Sequence, residues 1–443
     1  MQSMKSIQRT LLVTSLLGCL VAQAGSETAA TTEAPASPST ATGLLVGKFP
    51  GDTAWDRTWS AFTLYKDDSN PILQEFSLQG RLQVQSIYGE SNDDSFNTSD
   101  YKDTVSDENV WGNDIEARRA RIGFKSKWFQ NWKFEGQINV DNDGQDNSGD
   151  NTFYKEIYDL FITYTHSDAL NISAGKTKVK FTREQEISSK EILTIERSLL
   201  SNTLFPGELT GAWVSGKGIQ EHWLYELGVY GNERQREFSD FEGGALVLGK
   251  IGYDYSAQSG FDSAVASFHY MHNTKPGVQY ADDDWSGSAS PSFTDSIALT
   301  NDITHGRFGL TTDIVYGFGF EGDATQKGAS KAIDQSDVFG ISVIPSYFIA
   351  DGLQLVGRFQ FATSDDDNGS KGLALAGRYE TLAASADNDG AKRTGDTYTS
   401  AYLGLNYYLY GHKLKLMNGV EYSHMGGGDY DGYTFMSGLR FSF

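Results

Sequence analysis

Residues 116–128, "EARRARIGFKSKW", set five cationic side chains into thirteen positions of a 443-residue chain whose formal net charge is −22. Read at a repeat of two, Arg119, Arg121, Lys125 and Lys127 share a face with Gly123. Ile122, Phe124 and Trp128 take the opposite face, with Ala120 and Ser126. Guanidinium and ammonium groups arrayed along one side of a strand suit the holding and passing of anions. Arginine offers a planar fork that matches two phosphate oxygens, and lysine offers a point charge. A second group follows in residues 175–200, "GKTKVKFTREQEISSKEILTIERSLL", with Lys176, Lys178, Lys180, Arg183, Lys190 and Arg197. Much of this stretch does not alternate, as expected of a long basic loop folded into a pore. Cations at a constriction replace an anion's hydration with charge-assisted bonds in a confined space. Glu184, Glu186, Glu191 and Glu196 are interleaved, so a second reading stands beside the first: some of these cations neutralise carboxylates and pin the loop.

The elements that must position these groups are strands. No later stretch approaches 18 consecutive apolar residues, which excludes helical spanning. Segments of about ten residues with alternating apolar positions recur instead, between turns rich in Gly, Asn, Asp and Ser. Examples are "FSLQGRLQVQ", "WKFEGQINVD", "LQLVGRFQFA" and "YLGLNYYLYG". In residues 305–320, Phe308, Leu310, Ile314, Tyr316, Phe318 and Phe320 fall on one face, and Arg307, Gly309, Thr311 and Asp313 on the other. A soluble sandwich also alternates. A membrane barrel is favoured by the charged, glycine-rich second face and by aromatics placed near strand ends (Trp128, Trp132, Tyr164, Tyr408, Tyr410). It is favoured too by the contrast between tight links such as residues 350–352 and long acidic excursions such as 92–113 and 378–397. The predicted fold is all-β, a transmembrane antiparallel barrel of about 16 strands. Its final strand alternates Tyr433, Phe435, Leu439, Phe441 and Phe443 onto one face and ends on an aromatic residue, which resembles the recognition signal of bacterial outer-membrane barrels.

The N-terminus sets the compartment. Lys5 and Arg9 precede a short apolar run and the small-x-small site Ala22-Gln23-Ala24, so residues 1–24 read as a signal peptide. An alternative cleavage at Cys19, as in a lipoprotein, fits less well because Leu17 is a poor match. Cys19 is the only cysteine, so the exported chain is stabilised by packing and backbone pairing rather than disulfides. Residues 25–43, rich in Ala, Ser, Thr and Pro, cannot bury enough surface to fold and form a flexible periplasmic leader. Residues 44–70 contain "TAWDRTWSAFTLY", readable as a short helix or a plug. The expected division is therefore 1–24 signal, 25–70 leader and N-terminal segment, 71–443 barrel.

Residues 113–200 hold thirteen Lys and Arg against fourteen Asp and Glu, so nearly all the net negative charge lies elsewhere. It collects in runs such as Asp93-Asp94, Asp282-Asp283-Asp284 and Asp365-Asp366-Asp367. Those runs sit in predicted loops and face solvent and the headgroups of outer-membrane lipid and lipopolysaccharide. Residues 141–150, "DNDGQDNSGD", look like a calcium loop, but Gly144 is out of register with the EF-hand pattern. No metal site is expected. Gly317, Gly319 and Gly322 fit a dinucleotide-binding spacing without the helix that pattern requires. His269 and His272 fall on opposite faces of a strand, as polar strand-surface residues. No nucleophile elbow or zinc-protease motif is present. The chain therefore reads as no enzyme, without cofactor, and its export and acidity argue against nucleic acid as a partner.

The quoted basic stretches, with "YDLFITYT", "PSYFIADGLQLVGRFQF", "YLGLNYYLYGHKLKLMNGVEY" and the terminal "FMSGLRFSF", resemble the phosphate-selective porin O and porin P family. The resemblance runs from about residue 70 to the end. It is most specific at Arg118-Arg119-Ala120-Arg121 and Glu196-Arg197-Ser198. It implies a sixteen-stranded bacterial outer-membrane porin, a homotrimer, with an inward-folded third loop and basic residues along the path of anions such as phosphate. Arg119, Arg121, Arg183 and Arg197 are the positions carried over. Two alternatives remain at this stage: a general or differently selective diffusion porin, and a non-conducting secreted β-protein that binds a polyanion or carbohydrate.

Overall fold

The structure, a computed structural model, describes residues 53–91, 110–140, 153–234, 237–239, 241, 243–276, 293–320, 335–365, 373–374, 394–427 and 430–443. The expected signal peptide, the Ala/Ser/Thr/Pro leader, the calcium-like stretch 141–150, the run 282–284 and most of the loops 92–113 and 378–397 lie outside those residues.

Alternation of apolar and polar side chains becomes sixteen antiparallel strands that close on themselves. They are β1 (Leu73–Ser91), β2 (Val110–Trp128), β3 (Trp132–Val140), β4 (Tyr154–Ser167), β5 (Leu170–Lys178), β6 (Glu208–Ile219), β7 (Trp223–Gly231) and β8 (Ala245–Asp254). The second half comprises β9 (Ser263–Asn273), β10 (Asp295–His305), β11 (Phe308–Phe318), β12 (Val338–Ala350), β13 (Leu353–Ser364), β14 (Thr397–Tyr410), β15 (Leu414–Gly426) and β16 (Tyr430–Ser442). Each pairs with its sequence neighbour, and β16 pairs with β1 from Gly432↔Ser91 to Ser442↔Arg81, which closes the barrel. Gly80 and Phe443 exchange backbone hydrogen bonds of 3.0 and 3.1 Å below that register and fix the seam. At one barrel end the links are tight. Ala350 pairs with Leu353 across Asp351-Gly352, where Gly352 takes a φ of 72° that suits glycine.

The outer face carries exposed Leu82, Ile122, Leu299, Phe359, Leu403, Phe435 and Leu439. The inner face carries buried polar groups, among them Gln79, Arg81, Gln83, Gln85, Asp313, Gln360 and Glu421. This is apolar-out and polar-in, as a barrel in hydrocarbon demands. Trp132 and Tyr164 pack 5.0 Å apart on paired strands, as a girdle would place them. Tyr408 corrects the girdle expectation. It is 3% exposed and turned inward, while its neighbour Tyr407 faces out. His269 is corrected as well. It is fully buried inside the wall, edge-on to Phe181, rather than a polar strand-surface group.

Residues 54–60 form a short helix, α1 (Ala54–Ser60), capped reciprocally by Thr53 and Asp56. It is a clasp and not a plug. Trp59 donates its indole N–H to the Ser442 carbonyl at 2.7 Å and packs on Tyr410 and Phe441. A short strand, Thr63–Lys66, then pairs with the start of β1, and Phe62 stacks on Phe443 at 3.9 Å. The N-terminal segment thus covers the seam where β1 meets β16.

Candidate functional site

Residues 179–207 join β5 to β6 and turn into the lumen. Apolar burial draws them there: Val179, Phe181, Leu199, Leu200 and Leu204 pack against inward Leu209, Leu246, Met271, Val315 and Val338. Ile195 seats in a separate cluster with Ile87, Ile344, Val356, Tyr402 and Met417. Two short helices break the loop, α2 (Arg183–Glu186) and α3 (Leu199–Thr203). Thr182 caps α2 and Ser198 caps α3 through their hydroxyls.

The wall then grips the loop backbone. Lys415 Nζ donates to the Ile192 carbonyl at 2.6 Å, Arg440 Nη2 to Ile195 at 2.6 Å, and Arg358 Nη1 to Glu196 at 2.6 Å. Asn406 donates to the Leu193 carbonyl at 2.8 Å, and Gln83 to that of Ser189 at 2.9 Å. Arg358 in turn holds both oxygens of Glu421 at 3.0 Å, a bidentate pair buried on both sides. On the far wall, the backbone N–H groups of Arg183 and Glu184 donate to Asp313 at 2.8 and 3.1 Å. Orphan carbonyls and amides of an irregular segment are thereby satisfied without water.

The ten basic residues picked out from the sequence divide among several environments. Arg119 donates to Gln83 at 2.9 Å and lies 3.6 Å from Glu196. Arg121 donates through Nε to Asn139 at 2.6 Å and stacks over Tyr158, 3.2 Å from its ring centroid. Lys125 pairs with Glu135 at 3.1 Å and is half exposed. Lys127 stands directly across from Lys133. Lys176 and Lys178 belong to β5 rather than to the loop. Lys176 is buried under the influence of Glu156, Glu208 and Asp159, and the Lys178 amide donates to Asp159. Lys180 is exposed at the start of the loop. Arg183 is bound to Asp302 at 2.6 Å and Glu186 at 3.1 Å. Lys190 donates to the Phe443 carbonyl at 3.1 Å. Arg197 donates to the carbonyls of Glu184 and Ile187 at 2.8 and 2.7 Å.

Charge states in the loop follow from those contacts. Burial, reinforced by Arg81 and Lys125, pulls the Lys190 ammonium down to about 7. Burial opposes ionisation of Glu186, but Lys250, His269 and Arg183 outweigh it and hold the carboxyl at about 2. Glu196 is likewise held well below the usual carboxylate range, because Arg118 and Arg119 overcome its burial.

Sequence reasoning left out several groups that the structure brings in. A bulge in β2 makes Arg118 an extra residue, since Gln83 pairs with Arg119 and Val84 with Ala117. Arg118 and Arg119 therefore both reach Glu196, Arg118 at 2.6 Å. A bulge in β4 turns Tyr158 inward beneath Arg121. Arg81, paired directly with Arg121 across β1 and β2, lies 6.0 Å from the same ring. Arg358, Lys415 and Arg440 were legible as inward positions of alternating strands, and only their long-range partners were not.

A closed sixteen-stranded barrel with an apolar exterior and a basic loop folded across its lumen is a porin of the outer membrane, a channel for diffusion. The chain belongs to the phosphate-selective porin O and P family, whose profile matches residues 94–430. Among solved structures it is similar to Salmonella typhi OmpF in complex with daunomycin, at 12% identity over 86% of this chain and 100% of that one, with a TM-score of 0.53. It is similar to Pseudomonas putida OprB, solved at high pH, at 11% identity over 82% and 94%, with a TM-score of 0.50. The outer membrane channel DcaP of Acinetobacter baumannii matches at 16% identity over 86% and 100%, with a TM-score of 0.49. At such identities the likeness concerns the fold. No curated protein matches the chain.

Proposed function

We propose that this porin is an anion-selective channel, that phosphate is the solute its lining suits, and that it works as a homotrimer after export directed by residues 1–24. One observation carries the reading: Arg81, Arg121 and Arg197 converge on Tyr158 beside the loop, close enough to act on one another electrostatically. Nη1 of Arg121 and Nε of Arg81 have no hydrogen-bond partner among the described residues. Buried without a hydrogen-bond acceptor, they leave their charge less compensated, in surroundings of low dielectric where it acts more strongly on an anion nearby. Below this group on the same strand, Lys125, paired with Glu135, and Lys127, with Lys133 across from it, continue the basic track, and Lys190 lies near Lys125. Transport follows the solute gradient, and charge sets the choice.

Asp159 stands near Arg81 and Arg121 and favours a second reading, a weakly selective diffusion porin in which the acid partly offsets the arginines. A planar-bilayer recording across a KCl gradient decides between them. The expected reversal potential has the anion-selective sign, and added phosphate lowers the chloride current by competing for the arginines. A cation-selective sign overturns the proposal, and a potential near zero supports the weakly selective channel.

A further inference from the structure

Among the described residues the lipid-facing surface of the barrel is mostly apolar, and a row of polar residues crosses it on β15, β16 and β1. Asn418 on β15, Ser437 on β16 and Ser86 on β1 lie side by side, because Asn418 pairs with Ser437 and Ser437 with Ser86. All three are exposed on the outer face. Above and below them on the same strands stand apolar exposed residues: Leu416, Leu439 and Leu82 on one side, Tyr422, Phe435 and Tyr88 on the other. The row therefore crosses the middle of the hydrocarbon-facing belt. Beside it runs a groove of about 530 Å³, flanked by Leu355, Leu403 and Leu405 and floored by the glycine pair Gly404 and Gly419.

Hydrocarbon supplies neither donors nor acceptors, so polar side chains at this depth cost free energy unless something pairs with them. Ser437 spends its hydroxyl proton on the Asn418 side-chain oxygen at 2.8 Å. That leaves the Asn418 amide with two protons to give and Ser86 with a hydroxyl to share. An acyl chain could fill the groove but could not answer those groups. A protein surface can do both.

We propose that this row and groove, on strands β13 to β16 and β1, form the contact with a second copy of this chain. The neighbour buries an apolar side chain in the groove and hydrogen-bonds to Asn418 and Ser86. The inference rests on the homotrimer reading above and assigns it a surface.

Two measurements on the full-length protein test it. A photoreactive p-benzoylphenylalanine is introduced in place of Asn418 and, separately, in place of Leu299, an exposed residue of the outer face on β10. Irradiation in cells is expected to join two copies of the chain from position 418 and not from 299. In parallel, the triple variant Ser86→Leu, Asn418→Leu, Ser437→Leu is expected to lose trimer on native gels, roughly tenfold or more, while single-channel conductance per barrel stays unchanged and shows that folding is intact. A wild-type trimer that survives the triple substitution, or crosslinks to lipid alone, overturns the proposed surface and leaves the trimer standing. A wild-type protein that is monomeric in mild detergent and in cells overturns the trimer reading itself, and the surface with it.

Discussion

The guanidinium of Arg121 lies 3.2 Å from the centroid of the Tyr158 ring, on a face where Arg81 sits directly across from Arg121 in the β1–β2 ladder. Two like charges in register on neighbouring strands repel. The Tyr158 ring face under Arg121, and the loop hydroxyl of Ser189 that accepts from Arg81, offset that repulsion.

Replacing Arg121 with Gln is expected to lower the chloride-to-potassium permeability ratio by on the order of tenfold, since one charge acting at ~6 Å through an effective dielectric of ~20 is worth about 3 kcal/mol before salt screening. Arg121→Lys is expected to keep most of the selectivity but to weaken phosphate competition, because the planar fork is lost. Reversal potentials in both variants check this. Equal selectivity in wild type and Arg121→Gln would shift the filter to the loop.

Lys190 gives the selectivity a pH dependence. Its folded value near 7 lies below its ordinary one, so the side chain is cationic below that pH and neutral above it. Anion selectivity is therefore expected to decline as pH rises from about 6 to about 8, and the Lys190→Gln channel is expected to show a flat profile. The measurement uses chloride, since phosphate itself titrates in that window. A wild-type profile that rises with pH contradicts the assignment.

Glu196 is the joint between loop and wall. Glu196→Gln removes the carboxylate charge that Arg118 and Arg119 share, at a cost on the order of 3 kcal/mol. The variant is expected to convert to the unfolded gel form at lower temperature and to show noisier open-channel current as the loop loosens. Thermal behaviour and current noise identical to wild type would mean that the carbonyl contacts of Lys415, Arg358 and Arg440 hold the loop unaided.

Trp59 ties the N-terminal helix to the barrel seam. Trp59→Ala deletes a buried indole and its bond to Ser442, and is expected to cost about 3 kcal/mol of stability. Heat-modifiable migration reads the shift, and Trp59→Phe, which keeps most of the packing, is expected to recover much of it. Conductance is expected to stay the same in both, because the clasp lies away from the arginine group.

Most of the architecture was legible in the chain. Period-two alternation with a wet second face, turns of Gly, Asn and Asp, and a terminal aromatic strand specify a barrel, because hydrocarbon outside and water inside leave each side chain only one of two directions. The same logic correctly put Ile122 outside and Arg121 inside. It failed locally where the period broke. The bulges at Arg118 and Tyr158 each add a residue to one strand and change which groups meet, a shift that alternation cannot signal. Tyr408 and Tyr407 are adjacent and chemically alike, so composition could not say which one faces the lumen. The strand pattern and the basic composition of the loop were thus determined by the sequence itself. Which cations grip loop carbonyls, as Lys415, Arg358 and Arg440 do, and which keep donors free, as Arg121 does, was decided only in three dimensions, because those partners lie between about 160 and 250 residues away along the chain.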